Sequence, residues 1–421
     1  MSETPATSTA ALAAGSVRGS ATQAERIVPL DALRGFALLG ILVMNIQSFA
    51  MIGSAYFNPT AYGDLTGANY AVWYLSHLLA DQKMMTIFSL LFGAGIVLMS
   101  GRTEIATRRS AGLHYRRMGV LFVFGLLHAY LLWFGDILHA YAMCGLVAYL
   151  FRNFRPWSLL VLGFVFLLIG SAISIGAGWG MQMLPPEEVA SVIRDFWQPA
   201  PDKIREELTA YRSGWLTEIA HRAPSAFGIQ TFVFAGFIAW RAGGLMLVGM
   251  ALFKLHVFDA TLPRRLYLAL IGVALLLGLP TIALGIHRNF ASGWAGNYSI
   301  FAGAQYNYWG SLLVSGGWIG AVMLACRNER LLPLTRRLAA VGQMALTNYL
   351  LHSLICTTLF YGRGFGLFGQ VERVGQFGIV VAIWTFQLIV SALWLQRYRF
   401  GPAEWLWRSL SYVKWQPMRQ Q

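Results

Sequence analysis

Charge is scarce in this chain. Only 12% of its 421 residues are Asp, Glu, Lys or Arg, against a hydrophobic share of 57%, and a soluble globule needs about twice that charged fraction. Acidic residues are the scarcest, 18 against 32 Lys and Arg. In a soluble chain that surplus would point to nucleic acid. Here the basic residues sit in short gaps between apolar runs, where they act as topology signals, and no nucleic-acid partner is expected. The three cysteines, Cys144, Cys326 and Cys356, lie in or beside apolar runs without metal-type spacing. That excludes a disulfide framework and a zinc site, and no metal is expected. Residues 1–25 have no large apolar cluster and read as a disordered tail.

What the chain does have is long apolar runs. At roughly 20 residues per crossing, about ten spans are expected, near 31–52, 72–100, 118–134, 137–151, 157–178, 227–253, 265–286, 308–326, 339–361 and 377–396. The fold class is therefore an all-α, polytopic transmembrane helical bundle, with the lipid bilayer as its first partner. Alternate gaps, among them "GRTEIATRRSAGLHYRR", "KLHVFDATLPRR" and "CRNERLLPLTRR", hold most of the basic residues. By the positive-inside bias both termini are cytoplasmic. The organisation is a tail (1–25), a five-span half (26–178), an extracytoplasmic loop of short helices (179–226), a second five-span half (227–412) and a basic cytoplasmic tail (413–421). No internal repeat is strong enough to claim duplication, which weighs against an inverted-repeat transporter.

Ionisable residues inside spans are the functional candidates, because hydrocarbon makes them costly unless paired or solvated. Asp31 and Arg34 stand at the mouth of the first span, in "LDALRGFALLGILVMN". A guanidinium there serves topology, an anionic ligand, or both. His77, Asp81, Lys83, His128, Asp136, His139, Arg241 and His352 fall mostly in the outer half, where they suggest a polar cavity. His77 and Asp81 are four apart and share a helix face, as do Asn348 and His352. Asp136 and His139 are three apart at a turn, where a carboxylate can orient an imidazole as general base. Lys83 is open to a bland reading, snorkelling to the interface. "LFGAGI" and "RAGGLMLVG" read as close helix packing. "GRGFGLFG" (362–369) is either a ligand-contact loop or a flexible turn, and "GPAEWLWRSLSY" reads as an interfacial anchor.

Six ordered stretches, "LDALRGFALLGILVMNI", "KMMTIFSLLFGAGI", "GLLHAYLLWFGDIL", "MALTNYLLHSLI", "GRGFGLFG" and "FGPAEWLWRSL", together resemble the YeiB family of bacterial inner-membrane proteins. The C-terminal half of that family is the domain of unknown function 418. The resemblance implies a multi-pass protein of the bacterial inner membrane. The opening motif is also similar to that of two membrane acyltransferase families, the acyltransferase-3 and heparan-glucosaminide N-acetyltransferase types. These move an acyl group from cytoplasmic acyl-CoA to an acceptor, usually a sugar, on the far side. The acyltransferase-3 type has a histidine eleven positions after its arginine; here Arg34 is followed at that distance by Asn45. The glucosaminide type also has asparagine there and uses a histidine before its second span, a region comparable to that of His77.

Two functions are expected. As an acyltransferase, the chain would hold acyl-CoA phosphates with Arg34 and with Arg108, Arg109, Arg116 and Arg117. His77, His128, Asp136, His139 and His352 would be the catalytic candidates for transfer to an extracytoplasmic glycan. As a transporter of a small anionic or amphiphilic solute, it would use the same polar cavity with Arg241 as counter-charge to the substrate; in either case Asp31, Arg34, Asn45, Asp81, Lys83 and Arg241 are the ligand-binding candidates. No tightly bound cofactor is expected in either case; acyl-CoA would be a donor substrate.

Overall fold

The computed structural model describes residues 27–101 and 107–420, so the tail expected over 1–25 lies outside the described residues. Among them every regular element is helical, the one pairing of extended backbone being an isolated bridge between Tyr398 and Arg419. α1 (Val28–Ala50) leads into the short α2 (Gly53–Phe57). α3 (Gly67–Leu79), α4 (Lys83–Gly101), α5 (Thr107–Leu131), α6 (Leu138–Ala148) and α7 (Pro156–Gln182) follow. The segment expected to form a loop of short helices holds α8 (Pro186–Phe196), α9 (Pro201–Arg212) and the start of α10 (Trp215–Gly228). Through π-helical turns α10 continues into α11 (Ala239–Lys254), α12 (Arg264–Val273) into α13 (Leu279–Ala291), and α14 (Gly296–Tyr298) into α15 (Ala304–Cys326). α16 (Leu332–Gln343), α17 (Ala345–Phe360), α18 (Arg373–Arg397) and α19 (Pro402–Tyr412) complete the chain.

Seven helical stretches among the described residues are long and apolar enough to cross a membrane: Val28–Ala50, Gly67–Gly101, Pro156–Gln182, Trp215–Lys254, Arg264–Ala291, Gly296–Cys326 and Arg373–Arg397. The ten-span expectation departs from this in three places. Leu138–Phe151 is apolar but only about 21 Å long at 1.5 Å per residue, short of a hydrocarbon core of about 30 Å. The stretch 118–134 belongs to α5, whose first half carries Arg108, Arg109, Arg116 and Arg117. The stretch 339–361 is not one helix, because the chain bends by 81° between α16 and α17, giving an eighth crossing only if the bent pair is counted as one. A hydropathy window registers composition and is blind to such a bend.

The bend is held by a carboxylate. Met344 leaves the helical region (φ −107°, ψ 32°), which orphans the first N–H groups of α17. Glu404 of α19 receives them: Leu346 N and Thr347 N donate to its Oε1 at 2.6 and 3.1 Å, and Thr347 Oγ1 donates to its Oε2 at 2.6 Å. Helix breaks among apolar helices persist only where the freed backbone groups are satisfied in this way. α19, expected to be a membrane anchor, is thus a cap for α17, and its Trp407 lies under the Arg117 guanidinium of α5 at 4.1 Å.

Glycines set the closest crossings, as the packing reading of "LFGAGI" and "RAGGLMLVG" anticipates. A Cβ at Gly93 would overlap the carbonyl oxygen of Met246, and one at Gly249 would overlap that of Leu90, so α4 and α11 meet backbone to backbone. Gly35 and Gly342 do the same for α1 and α16. "GRGFGLFG" is neither free nor flexible in this fold: Gly362 N donates to Tyr211 O at 2.8 Å and Gly369 N to Ala50 O at 2.7 Å. It ties α9 to the ends of α1 and α17. α9 is also tied at Glu207, whose Oε1 accepts from Gly53 N at 2.9 Å. Burial raises that carboxyl group to a pKa of about 6.

Two stability predictions result. Gly249→Ala lowers the thermal midpoint of the detergent-purified protein by the equivalent of about 1–3 kcal/mol, whereas Gly95→Ala, with nothing within 4 Å of the added Cβ, leaves it unchanged. The folded protein holds its Glu207 proton more tightly than the unfolded chain, so this residue's contribution to stability falls as pH rises from about 4.5 to about 6. The difference in midpoint between Glu207→Gln and wild type should therefore grow in favour of the variant across that window. A constant difference would contradict it.

Candidate active site

α1, α4, α5, α6, α16, α17 and α19 enclose a partly open cavity of about 310 Å³. Its α1 wall runs from Ile27 to Ile41, about 20 Å of helix or two-thirds of a hydrocarbon core. At the end where α1 begins the lining is charged: Asp31, Arg34, Arg117, Glu404 and Arg408, with His114 and Trp407. Further in it turns apolar, with Leu38, Phe88, Leu91 and Leu121, and it ends against Ile137, Leu138, Tyr141 and Tyr349. Arg34 Nη1 donates to Asp31 Oδ1 at 2.8 Å and keeps a quarter of its side chain exposed. Arg117 is 7% exposed; beyond its stacking on Trp407, no carboxylate lies within ion-pair distance of it among the described residues. The lining grades from cationic to greasy, the order of groups in an amphiphile with an anionic head.

Behind the inner end lies the polar cluster that the sequence pointed to. Asp136, 1% exposed, accepts from three donors: His128 Nδ1 reaches its Oδ1 at 2.8 Å, and His139 Nδ1 and His139 N reach its Oδ2 at 3.1 and 3.0 Å. The backbone contact ties Asp136, at the turn before α6, to the first turn of that helix. His128 Nε2 is 2.7 Å from Ser353 Oγ. His139 Nε2 is buried and has no hydrogen-bond partner among the described residues. Tyr349 joins cavity to cluster: it lines the former, and its ring lies 5.1 Å from that of His128.

The other candidates are elsewhere. His352 is next to Ser353 in sequence but turns away, its Nε2 bonded to Gln387 Oε1 at 2.8 Å, and Gln387 Nε2 donates to Asn348 O at 3.0 Å. This links the face shared by Asn348 and His352 to α18. His77 and Asp81 do meet across one helix turn, at 3.2 Å. Asp81 continues to Asn307 Nδ2 at 2.6 Å, and Lys83 Nζ donates to Asn307 Oδ1 and His77 O, each at 2.6 Å. Lys83 is fully buried, so the snorkelling reading fails. Arg241 is fully buried too. It donates to Tyr308 O, Thr86 Oγ1 and Ser311 Oγ; among the described residues no carboxylate is in ion-pair distance and its Nε has no partner. Asn45 is half-buried on α1 and lines neither the cavity nor these clusters. The side chains of Arg108 and Arg109 lie outside the described set, and Arg116 is exposed.

Sequence reasoning missed Ser353, Asn307, Glu404 and Trp407. A serine or asparagine inside an apolar helix carries no spacing signal, and the acid and indole of "GPAEWLWRSLSY" were legible only as an interfacial pattern.

The fold and this set of buried polar groups define a multi-helix membrane protein. The chain belongs to the YeiB family: it is 31% identical to the uncharacterized protein YeiB of Escherichia coli (strain K12) over 92% of this chain and 96% of that protein. It is 30% identical to the uncharacterized protein YxaH of Bacillus subtilis (strain 168), over 94% and 96%. A 39.9 kDa protein from the amylase 3' region of Bacillus acidopullulyticus is 28% identical over 92% and 94%. The family model described as a protein of unknown function, DUF418, matches residues 252–414.

Because Asp136 has no Lys or Arg partner among the described residues, its three donors offset its desolvation cost. Asp136→Asn replaces an acceptor oxygen by an NH2 facing a ring or backbone N–H, and the thermal midpoint should drop by the equivalent of about 1–3 kcal/mol or more. Asn45→Ala should leave it within error. Equal midpoints for Asp136→Asn and wild type would show that the cluster bears no structural load.

Proposed function

We propose that this chain is an acyltransferase of the bacterial inner membrane, with both termini in the cytoplasm, that passes an acyl group from cytoplasmic acyl-CoA to an extracytoplasmic acceptor such as a glycan. One observation carries the reading. The cavity is lined by arginines at one end and by apolar side chains further in, an apolar throat, and Tyr349 in its wall lies one aromatic ring away from a carboxylate-held histidine pair. Arg34, Arg117 and Arg408 suit the phosphates of coenzyme A, since guanidinium forms paired, charge-assisted bonds to phosphate. The throat suits the pantetheine arm and acyl chain. The imidazoles held by Asp136 suit the proton transfers of acyl exchange.

A second reading, transport of a small anionic or amphiphilic solute, rests on Arg241, a buried cation that among the described residues has no carboxylate partner and no partner for its Nε. Such groups mark ion and substrate pathways in membrane proteins. Measuring both acyl transfer and solute exchange in the same reconstituted vesicles distinguishes the two.

The acyltransferase reading predicts a division of labour. Arg117→Ala and Arg34→Lys weaken acyl-CoA binding about 10-fold or more and raise KM, whereas His128→Ala leaves binding near normal and lowers kcat about 100-fold to 10,000-fold. Wild-type transfer by all three variants would overturn the site. The sidedness is tested separately by labelling single cysteines in a background free of Cys144, Cys326 and Cys356. Asp202→Cys reacts in intact spheroplasts, and Gly112→Cys reacts only after permeabilisation. The reverse pattern would invert the assignment.

A further inference from the structure

Ser353 reaches a side chain on another helix, as Ser171 does to Gln305 at 2.7 Å, but its partner is an imidazole. In an apolar helix a serine or threonine ordinarily returns its proton to the carbonyl four residues back. Ser89, Ser100, Ser315 and Thr358 all do so here, at 2.6–2.8 Å. Ser353 instead reaches across to another helix, 2.7 Å to His128 Nε2. The valence of the cluster sets the direction of that bond. Asp136 accepts on both oxygens, so a neutral His128 carries its proton on Nδ1, keeps a lone pair on Nε2, and receives the Ser353 hydroxyl as donor. The result is a hydroxyl aimed at an imidazole that is oriented by a carboxylate, the relation that activates serine nucleophiles on unrelated folds. Serine and histidine are 1% and 2% exposed, and Tyr349, one turn earlier on α17, lines the inner end of the cavity.

We propose, building on the acyltransferase reading, that Ser353 is the nucleophile of a two-step transfer and carries the acyl group as an ester. With the Tyr349 ring swung aside, Ser353 Oγ attacks the thioester carbonyl carbon at the end of the throat. The C–O bond forms as His128 Nε2 takes the hydroxyl proton. The C–S bond then breaks, and that proton leaves on sulfur as free coenzyme A. In the second step an acceptor hydroxyl attacks the Ser353 ester and gives its proton to His128 Nε2. The bond from carbon to Ser353 Oγ breaks, and the serine oxygen recovers the proton. Asp136 holds the imidazolium formed in each step. His139 Nε2, buried without a partner among the described residues, is a positioning group that accepts a hydrogen bond from the incoming acceptor.

The test uses full-length protein in lipid nanodiscs, mixed with radiolabelled acetyl-, butyryl- or palmitoyl-CoA and no acceptor, quenched in acid and mapped by peptide mass spectrometry. Wild type should release free coenzyme A in a burst of up to one equivalent and carry the acyl mass on the peptide containing Ser353. Ser353→Ala should bind acyl-CoA within about 2-fold of wild type yet show no burst and no adduct, and His128→Ala should slow the burst at least 100-fold. If the alanine variant does not fold, Ser353→Cys serves in its place and should hold the acyl group as a hydroxylamine-labile thioester. Transfer to an acceptor by Ser353→Ala at the wild-type rate, or an adduct on another residue, overturns the serine assignment and leaves the acyltransferase reading standing. Wild-type protein that neither binds these donors nor releases coenzyme A overturns both.

Discussion

Asp136 is a carboxylate at 1% exposure with no Lys or Arg in ion-pair distance among the described residues, and the arrangement of the inner end of the bundle follows from that constraint. A charge removed from water is tolerable only when each lone pair meets a donor. The donors come from two elements, His128 on α5 and the ring and backbone of His139 on α6, so the carboxylate fixes the angle between those helices while fixing both imidazole tautomers. Those tautomers then dictate what each far nitrogen can do. One lies at hydrogen-bond distance from Ser353 of α17, and the other has no partner among the described residues. A single buried charge thus draws together α5, α6 and, through His128, Ser353 of α17.

The same rule is applied a second time with the opposite sign. Lys83 and Arg241 are buried cations, and the nearby carboxylate, Asp81, touches neither in a direct ion pair; Asn307 relays between Asp81 and Lys83, and Arg241 is satisfied by a carbonyl and two hydroxyls. These groups come from α4, α11 and α15 and cross-link the glycine-mediated contact of α4 with α11 to α15. Neither Lys83 nor Arg241 lines the cavity, so the two polar centres are distinct. The acyltransferase reading draws on the anionic one, and the transport reading on the cationic one.

Much of this was legible before the structure, and the parts that were not share a physical cause. The all-helical membrane fold follows from scarce charge and long apolar runs. Two close pairs were legible from spacing, His77 with Asp81 as a shared helix face and Asp136 with His139 at a turn; both are formed, although Asp81 lies just past the end of α3. Gly93 and Gly249 were legible because close packing is the ordinary reason for small residues in such helices. What hydropathy missed is chain geometry: the 81° bend at Met344 lies inside an unbroken apolar stretch, and its cap, Glu404, comes from 60 residues later. The cavity was also hidden, since seven helices build it and no single one shows it. Ser353 was hidden for a simpler reason. One hydroxyl in an apolar helix looks like any other until its partner across the bundle is known.

The central claim is that the cavity carries an acyl donor from its arginine mouth to the histidines at its end. The most direct measurement is a cryo-electron microscopy structure of the protein in nanodiscs with a non-transferable thioether analogue of acyl-CoA. The account predicts the diphosphate among Arg34, Arg117 and Arg408, the pantetheine arm along α1 toward Ile41, and the carbon that mimics the carbonyl within bonding reach of the Ser353 and His128 pair, with Tyr349 displaced. An analogue bound elsewhere, or a cavity left empty at saturating analogue, would contradict it.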